Sequence, residues 1–246
     1  MNDKSSIIDS ASILVIRDND VTGKLEVLMV KRHPDIGFAG GAYVFPGGKV
    51  DPDDLTLSRD IPFYPAGYSD FIYTAFREVF EESGLIIGNE GDAVEYRNAL
   101  LQGEIAFSEI IKQANIIFNP DDIIPFARWV TPRQYLKRFD TRFYLAKAPQ
   151  GQQVIPDFKE IIEAKWVEPI EFIDQFRNEI MFPTLMNLKL LGQASKVDEA
   201  LDQARRRKII KVEPKWTNGI PSIDPRAGYG ELDYHGLYQG FKGDKV

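Results

Sequence analysis

The chain of 246 residues contains no cysteine and only two histidines, His33 and His235. Without a thiol there is no cysteine nucleophile, thiolate zinc site, iron–sulfur cluster or disulfide framework. Two imidazoles cannot build a multi-histidine metal centre within one chain, so any metal chemistry must rest on carboxylates and hard cations. Long apolar runs are also missing: none approaches the ~18 residues of a membrane span. The opening MNDKSSIIDSAS lacks the apolar stretch of a secretory leader. These absences predict a soluble cytoplasmic protein that does not engage a membrane. Basic residues are in deficit, 30 against 37 acidic for a net charge of −7, which argues against a nucleic-acid partner.

What is present is an ordinary globular balance, 43% hydrophobic and 27% charged. It is enough for one large α/β domain with additions, or for one domain plus a small satellite. Residues 10–17 and 25–31 are β-rich runs separated by a polar turn, the pattern of a hairpin. Residues 40–50 (GGAYVFPGGKV) form a strand interrupted by Pro46 and glycines, and 58–69 contain Pro62, Pro65 and Gly67, indicating a loop. Helical spacing runs from Asp70 to Ser83 and stops at Gly84; a second helix is expected over 100–115. Residues 126–130, 142–146 and 161–167 are further strand candidates. Helices are expected over 169–180, 183–191 and from a capping box at Ser195 and Asp198 to about Lys208. The last thirty residues hold Trp216, Tyr229, Tyr234, Tyr238 and Phe241, too many aromatics for a solvated tail. The organisation predicted is a domain over 8–192 and an extension over 193–246 packed on it or on a second subunit of a homodimer.

The informative stretch is Thr74–Leu85, TAFREVFEESGL. At about 100° per residue, Glu82 lies about 40° and Glu81 about −60° from Glu78, so three carboxylates share one face. Phe76, Val79 and Phe80 lie away from it, and Arg77 is spaced to pair with Glu81. Carboxylates grouped in this way repel unless something positive sits among them. A divalent cation satisfies that requirement, since a histidine-free carboxylate set suits magnesium, manganese or calcium. A solvated acidic helix face is the competing reading.

Upstream lies Phe45-Pro46-Gly47-Gly48-Lys49-Val50-Asp51, a glycine turn that lets backbone approach a ligand closely. With R-E-V-F-E-E-S-G-L, this turn resembles the Nudix hydrolase signature G-x5-E-x7-R-E-U-x-E-E-x-G-U, where U is a bulky apolar residue. Gly48 takes the first glycine, and Arg77, Glu78, Val79, Glu81, Glu82, Gly84 and Leu85 take the second half. Two departures stand out. The first glutamate falls on Asp54, one methylene shorter. The spacer from Asp54 to Arg77 is also longer than the family pattern by about fifteen residues, an insertion that loop-closure entropy tolerates. The split box, the approach GGAYVFPGGKVDPDD, Trp129-Val130-Thr131-Pro132 with Arg138–Tyr144 (RFDTRFY), and Phe182-Pro183-Thr184-Leu185 with Asn187-Leu188 are similar to the coenzyme A and acyl-CoA diphosphatase branch. The resemblance covers about residues 10–192.

The resemblance implies an α/β fold: an α/β/α sandwich around a mixed sheet, here with added C-terminal helices. It implies hydrolysis of a pyrophosphate bond in a small nucleotide substrate, coenzyme A or an acyl-CoA above all, with Mg2+ or Mn2+ as cofactor. Glu78 and Glu82 would hold the metal, with Glu81 assisting or orienting Arg77 and the Gly47 carbonyl completing the site. The base is Glu78 or a late acidic residue, Glu160 in preference to Glu163. Arg32 is placed near the nucleotide phosphates, and Arg138 or Arg142 faces them. Each has a plain counterpart: Arg138, Asp140 and Arg142 as a surface ion-pair network, His33 as a solvated strand end, Trp129 and Trp166 as core. Other nucleotide substrates, or a non-catalytic nucleotide sensor, are the alternatives.

Overall fold

The computed structural model describes residues 7–60, 71–88, 93–218 and 220–230. Its frame is a mixed sheet. Strand β1 (Ile7–Asp18) is buried on both faces over most of its length, which is why it reads as a continuous apolar run rather than an alternating one. It pairs in parallel with β6 (Arg138–Lys147) from Ile7↔Arg138 to Ile16↔Lys147. It is antiparallel to β2 (Leu25–Arg32) from Ile16↔Val27 to Asp18↔Leu25. β5 (Ile123–Val130) lies antiparallel on β6, and β7 (Ile161–Val167) antiparallel on the far side of β2.

Beyond Val27, β1 and β2 splay apart, and residues 43–49 fill the gap. β3 (Tyr43–Val44) pairs with β2, whereas β4 (Gly47–Lys49) pairs with β1. Pro46 sits where the segment changes partner. It has no N–H to lose from a ladder, and its carbonyl accepts from Ile13 N (2.9 Å) and Ser12 Oγ (2.9 Å).

Period-two alternation divides β1 between two cores. Ala11, Ile13 and Val15 face a layer of four helices: α1 (Pro52–Asp60), α2 (Ile72–Ser83), α3 (Arg97–Leu101) and α4 (Phe107–Gln113). Leu14 and Ile16 face α5 (Pro169–Phe176), α6 (Phe182–Leu191) and α7 (Val197–Arg206). The result is an α/β/α sandwich. The second core also takes in Val212 on the short edge strand β8 (Lys211–Val212), Ala227 and Tyr229. Trp129 Nε1 donates to Tyr229 Oη (2.7 Å), which bonds Asn187 Oδ1 (2.8 Å), so Trp129 is core. Trp166 is half-buried, with the Arg17 guanidinium 4.3 Å from its ring centroid.

Several expectations are corrected. Residues 58–60 are helix, not loop: α1 starts at Pro52, a residue whose fixed φ suits a first turn, and its Leu57 is buried in the core. Residues 61–70, the rest of that expected loop, lie outside the described part. The helix expected over 100–115 is two short helices, broken at Gly103 with φ +71°. The helix from Pro169 stops at Phe176 and tightens into a 3-10 turn over Arg177–Glu179. Ser195 does not pair with Asp198; its N–H and hydroxyl bond Glu199 at 2.7 and 2.9 Å, and α7 ends at Arg206. Trp216 and Tyr229 are placed, whereas Tyr234, Tyr238 and Phe241 lie outside the described residues. No helix among the described residues is long and apolar enough to cross a membrane.

Candidate active site

Helix α2 lays Phe76, Val79 and Phe80 into the core beneath it and sets its carboxylate face against β4. Gly84, with φ +76°, ends the helix in the left-handed conformation. The Glu81 carbonyl at that end accepts from Arg97 Nε (3.1 Å) and Nη2 (2.7 Å).

Arg77 organises the face. Its Nε and Nη2 grip Asp54 at 3.0 and 2.9 Å, and Nη2 also donates to the Lys49 carbonyl (2.9 Å). Its Nη1 donates to Glu78 (2.9 Å) and Glu81 (3.1 Å). All five guanidinium hydrogens therefore find acceptors, a fork geometry lysine cannot reproduce. Asp54 is fully buried and also accepts from the Thr74 hydroxyl (2.8 Å) and Asp51 N (3.0 Å). The shorter acid at this position reaches Arg77 because α1 carries it to the start of α2. The inserted residues thus begin as a helix packed on the site rather than as a loop leaving it.

Glu82 is 4% exposed, and its carboxylate accepts the Gly47 N–H (3.1 Å). Glu78 lies against Gly48 so closely that a Cβ there would fall 2.2 Å from the carboxylate oxygen; only glycine permits this approach. Glu82 is thus buried against β4, whereas Glu78 and Glu81 keep partly exposed side chains, 14% and 22%. Burial, ahead of repulsion from Glu81, pushes the Glu78 carboxyl up to about 7 against the attraction of Arg77. Burial and the neighbouring Glu78 push Glu82 well above the usual carboxylate range, and Glu81 is raised mainly by burial. Such carboxylates call for added positive charge.

Arg32, at the end of β2, completes the cluster. Its Nη1 lies 3.7 Å from Glu82 and its Nη2 3.8 Å from Glu160, both beyond hydrogen-bond length. Its buried Nε has no partner among the described residues. Glu160 stands before β7, its backbone carbonyl bonded to His33 N (2.7 Å) and its side chain 64% exposed.

The structure therefore gathers Arg32, Gly47, Arg77, Glu78, Glu81, Glu82 and Glu160. Arg138 and Arg142 are engaged elsewhere. Arg138 donates to the Thr131 carbonyl (3.0 Å) and to Glu213 (3.2 Å). Arg142 lies between Asp9 (3.6 Å) and Asp140 (3.4 Å), 4.1 Å from the Phe71 ring centroid. Asp140 in turn holds Arg128 by two bonds, at 2.9 and 2.6 Å. Register explains this: Ala11 pairs with both Gly48 and Arg142, putting Arg142 two strands from the glycine turn. The ion-pair reading of these arginines is the one the structure displays. Glu163 is drawn the other way, accepting from Tyr43 Oη (2.6 Å) and pairing with Lys165 (3.0 Å). Thr74 and Arg97, which support the site, carried no readable signal, because a buried threonine and an arginine on a later helix match no spacing rule.

Among the described residues, no three acidic or imidazole side chains converge as a cage for a metal ion. Arg77 holds Glu78 and Glu81, and Gly47 holds Glu82. Magnesium does not need such a cage, since it commonly takes one or two carboxylates and keeps several waters. Partly buried Glu78 and buried Glu82, neighbours with raised affinity for positive charge, fit that donor set.

Residues 65–188 match the family described as the NUDT19 Nudix domain. The putative nudix hydrolase 7 of Caenorhabditis elegans is 30% identical over 200 residues, 78% of this chain and 64% of its own. The human acyl-coenzyme A diphosphatase NUDT19 is 26% identical over 216 residues, 64% of this chain and 57% of its own. The alignments thus span less than two thirds of these relatives' length. A crystal structure of a NUDIX hydrolase from Alicyclobacillus acidocaldarius, 24% identical, superposes with a TM-score of 0.72 over 81% of this chain and 97% of that one. It bears on the fold alone.

Proposed function

The chain belongs to the Nudix hydrolase family, in its NUDT19 Nudix domain group, and from that premise we propose that it is a metal-dependent diphosphatase acting on coenzyme A or an acyl-CoA. The observation that carries this reading is the pairing of partly buried Glu78 and buried Glu82 against Gly48 and Gly47, with the Arg32 Nε, partnerless among the described residues, beside them. The names of the human and Xenopus laevis relatives, acyl-coenzyme A diphosphatase NUDT19, support the substrate class.

Glu78 and Glu82 would hold Mg2+ or Mn2+, with the Gly47 carbonyl beside them. A bound divalent ion neutralises pyrophosphate charge and makes water a better nucleophile at neutral pH. The chain supplies the rest. Arg77 fixes the rotamers of Glu78 and Glu81 and, through Asp54, the distance between α1 and α2. Arg32 offers its guanidinium to two oxygens of the diphosphate, a bidentate match that phosphate geometry favours. Glu160 is the carboxylate of the cluster bound neither by Arg77 nor by a backbone N–H. It takes the proton of the attacking water at its carboxylate oxygen. From coenzyme A the products are adenosine 3′,5′-bisphosphate and phosphopantetheine.

The test is hydrolysis of coenzyme A, an acyl-CoA and ADP-ribose with Mg2+ or Mn2+. Glu82→Gln keeps the size and the acceptor for Gly47 N but removes one charge. Its rate should fall on the order of a thousandfold. Glu171→Gln, on the exposed side of α5 across the sheet, should match wild type. Equal rates for wild type and Glu82→Gln remove the metal assignment. Activity confined to ADP-ribose removes the coenzyme A assignment.

A further inference from the structure

Two residues before Glu160, the chain makes a turn with an unusual occupant. Phe158 adopts φ +56°, a left-handed conformation that is rare for a bulky side chain, and it is 68% exposed. The turn is firmly held. Asp157 Oδ1 accepts three backbone N–H groups, from Lys159 (2.8 Å), Glu160 (2.9 Å) and Ile161 (2.9 Å). Phe158 N donates to the Ile161 carbonyl (3.0 Å). Ile161 is in register with Arg32 across the β2–β7 ladder. Glycine or asparagine would occupy this φ without strain, and a polar residue would suit the exposure. Backbone strain combined with an exposed ring at the rim of a catalytic cluster points to use by a ligand.

We propose that Phe158 is the stacking platform for the nucleobase of the substrate, an inference that rests on the diphosphatase reading above. Chain geometry puts Phe158 within about 7 Å of Glu160 at the backbone, the scale separating a base from its 5′ phosphates. A single flat ring flanked by Asp157, Lys159 and Glu160 suits a planar heterocycle with polar edges. An acyl chain would instead call on the apolar side chains exposed nearby in sequence, Ile155 and Ile162, and the comparison of coenzyme A with palmitoyl-CoA separates the two. Stacking tolerates any base, so the platform contributes affinity for a nucleoside rather than a choice among nucleosides.

The experiment measures binding of ADP and of inorganic pyrophosphate by calorimetry with Mg2+, and kinetics on coenzyme A and palmitoyl-CoA. The proteins are wild type, Phe158→Ala, Phe158→Asn and Phe158→Tyr. Asparagine tolerates the left-handed backbone, so that variant keeps the turn, and melting temperatures report any loss of fold. Phe158→Ala and Phe158→Asn should weaken ADP on the order of tenfold and leave pyrophosphate unchanged. KM for coenzyme A should rise with kcat retained, and Phe158→Tyr should behave as wild type. The proposal is overturned by unchanged ADP affinity, by equal losses for ADP and pyrophosphate, by a wild type that binds no ADP, or by a loss confined to palmitoyl-CoA. ADP binding that depends on Phe158 in a protein hydrolysing no diphosphate would sink the diphosphatase reading while leaving the platform standing. Hydrolysis indifferent to Phe158 would do the reverse.

Discussion

Replacing Glu78 by glutamine isolates the electrostatic cost built into the carboxylate face. The amide keeps the shape that fits over Gly48 and an oxygen for Arg77 Nη1, but it cannot ionise. In the metal-free fold the Glu78 carboxyl titrates at about 7 rather than 4.5, so the native state binds this proton more tightly than the unfolded chain. That contribution is fully present below pH 4.5 and is lost as pH rises through about 7. At about 1.4 kcal/mol per pH unit, it amounts to about 3 kcal/mol. Metal-free Glu78→Gln should therefore match wild type at pH 4.5 and exceed it by about 3 kcal/mol above pH 7.5. Magnesium should close the gap, because a cation at a hundred times its Kd returns about 2.7 kcal/mol to wild type and little to the variant. Urea unfolding of both proteins at several pH values, with EDTA and with magnesium, reads this directly. A stability difference that does not change between pH 4.5 and 7.5 would refute the account of a buried, charge-starved carboxylate. A difference of the opposite sign would show that Arg77 already neutralises it.

Two further substitutions probe neighbouring contacts. Gly48→Ala places a methyl on the Glu78 carboxylate, so Glu78 must rotate off β4; magnesium affinity measured by calorimetry should drop at least tenfold while far-UV circular dichroism is unchanged. Tyr229→Phe removes the hydroxyl linking Trp129 Nε1 and Asn187. Leaving buried polar groups unpaired costs about 1–3 kcal/mol, read by urea unfolding, with kcat unaffected.

Much of the site was legible because its residues follow one short-range rule. Arg77, Glu78, Glu81 and Glu82 lie on one helix, so helical spacing alone puts them on a face, and Gly84 marks where that helix ends. The parts that escaped depend on long-range geometry. That α1 would carry Asp54 onto Arg77 could not be read from a spacer longer than the pattern. Arg138 and Arg142 look like phosphate ligands in sequence, yet sheet register gives them to Glu213, Asp9 and Asp140. The helix expected over 100–115 failed for a local reason, since a positive φ at Gly103 interrupts apolar spacing that otherwise continues. Ser195 found its partner one residue beyond the expected one, because Lys196 rather than Ser195 sits at the start of α7.

The wedge of β3 and β4 between the diverging β1 and β2 has a dynamic consequence. Gly47 and Gly48 are held by ladders belonging to the central strand, so the glycine turn cannot open unless the middle of the sheet opens with it. Amide exchange at Val50, whose N–H bonds the Asp9 carbonyl of β1, should then track global unfolding, whereas Phe158, whose N–H bonds only across its own turn to the Ile161 carbonyl, exchanges through opening of that turn. On the proposed reading, the glycine wedge that would face the phosphates is as rigid as the fold itself, while the turn that would meet the remainder of the substrate is held by its own local bonds and not by the central ladders.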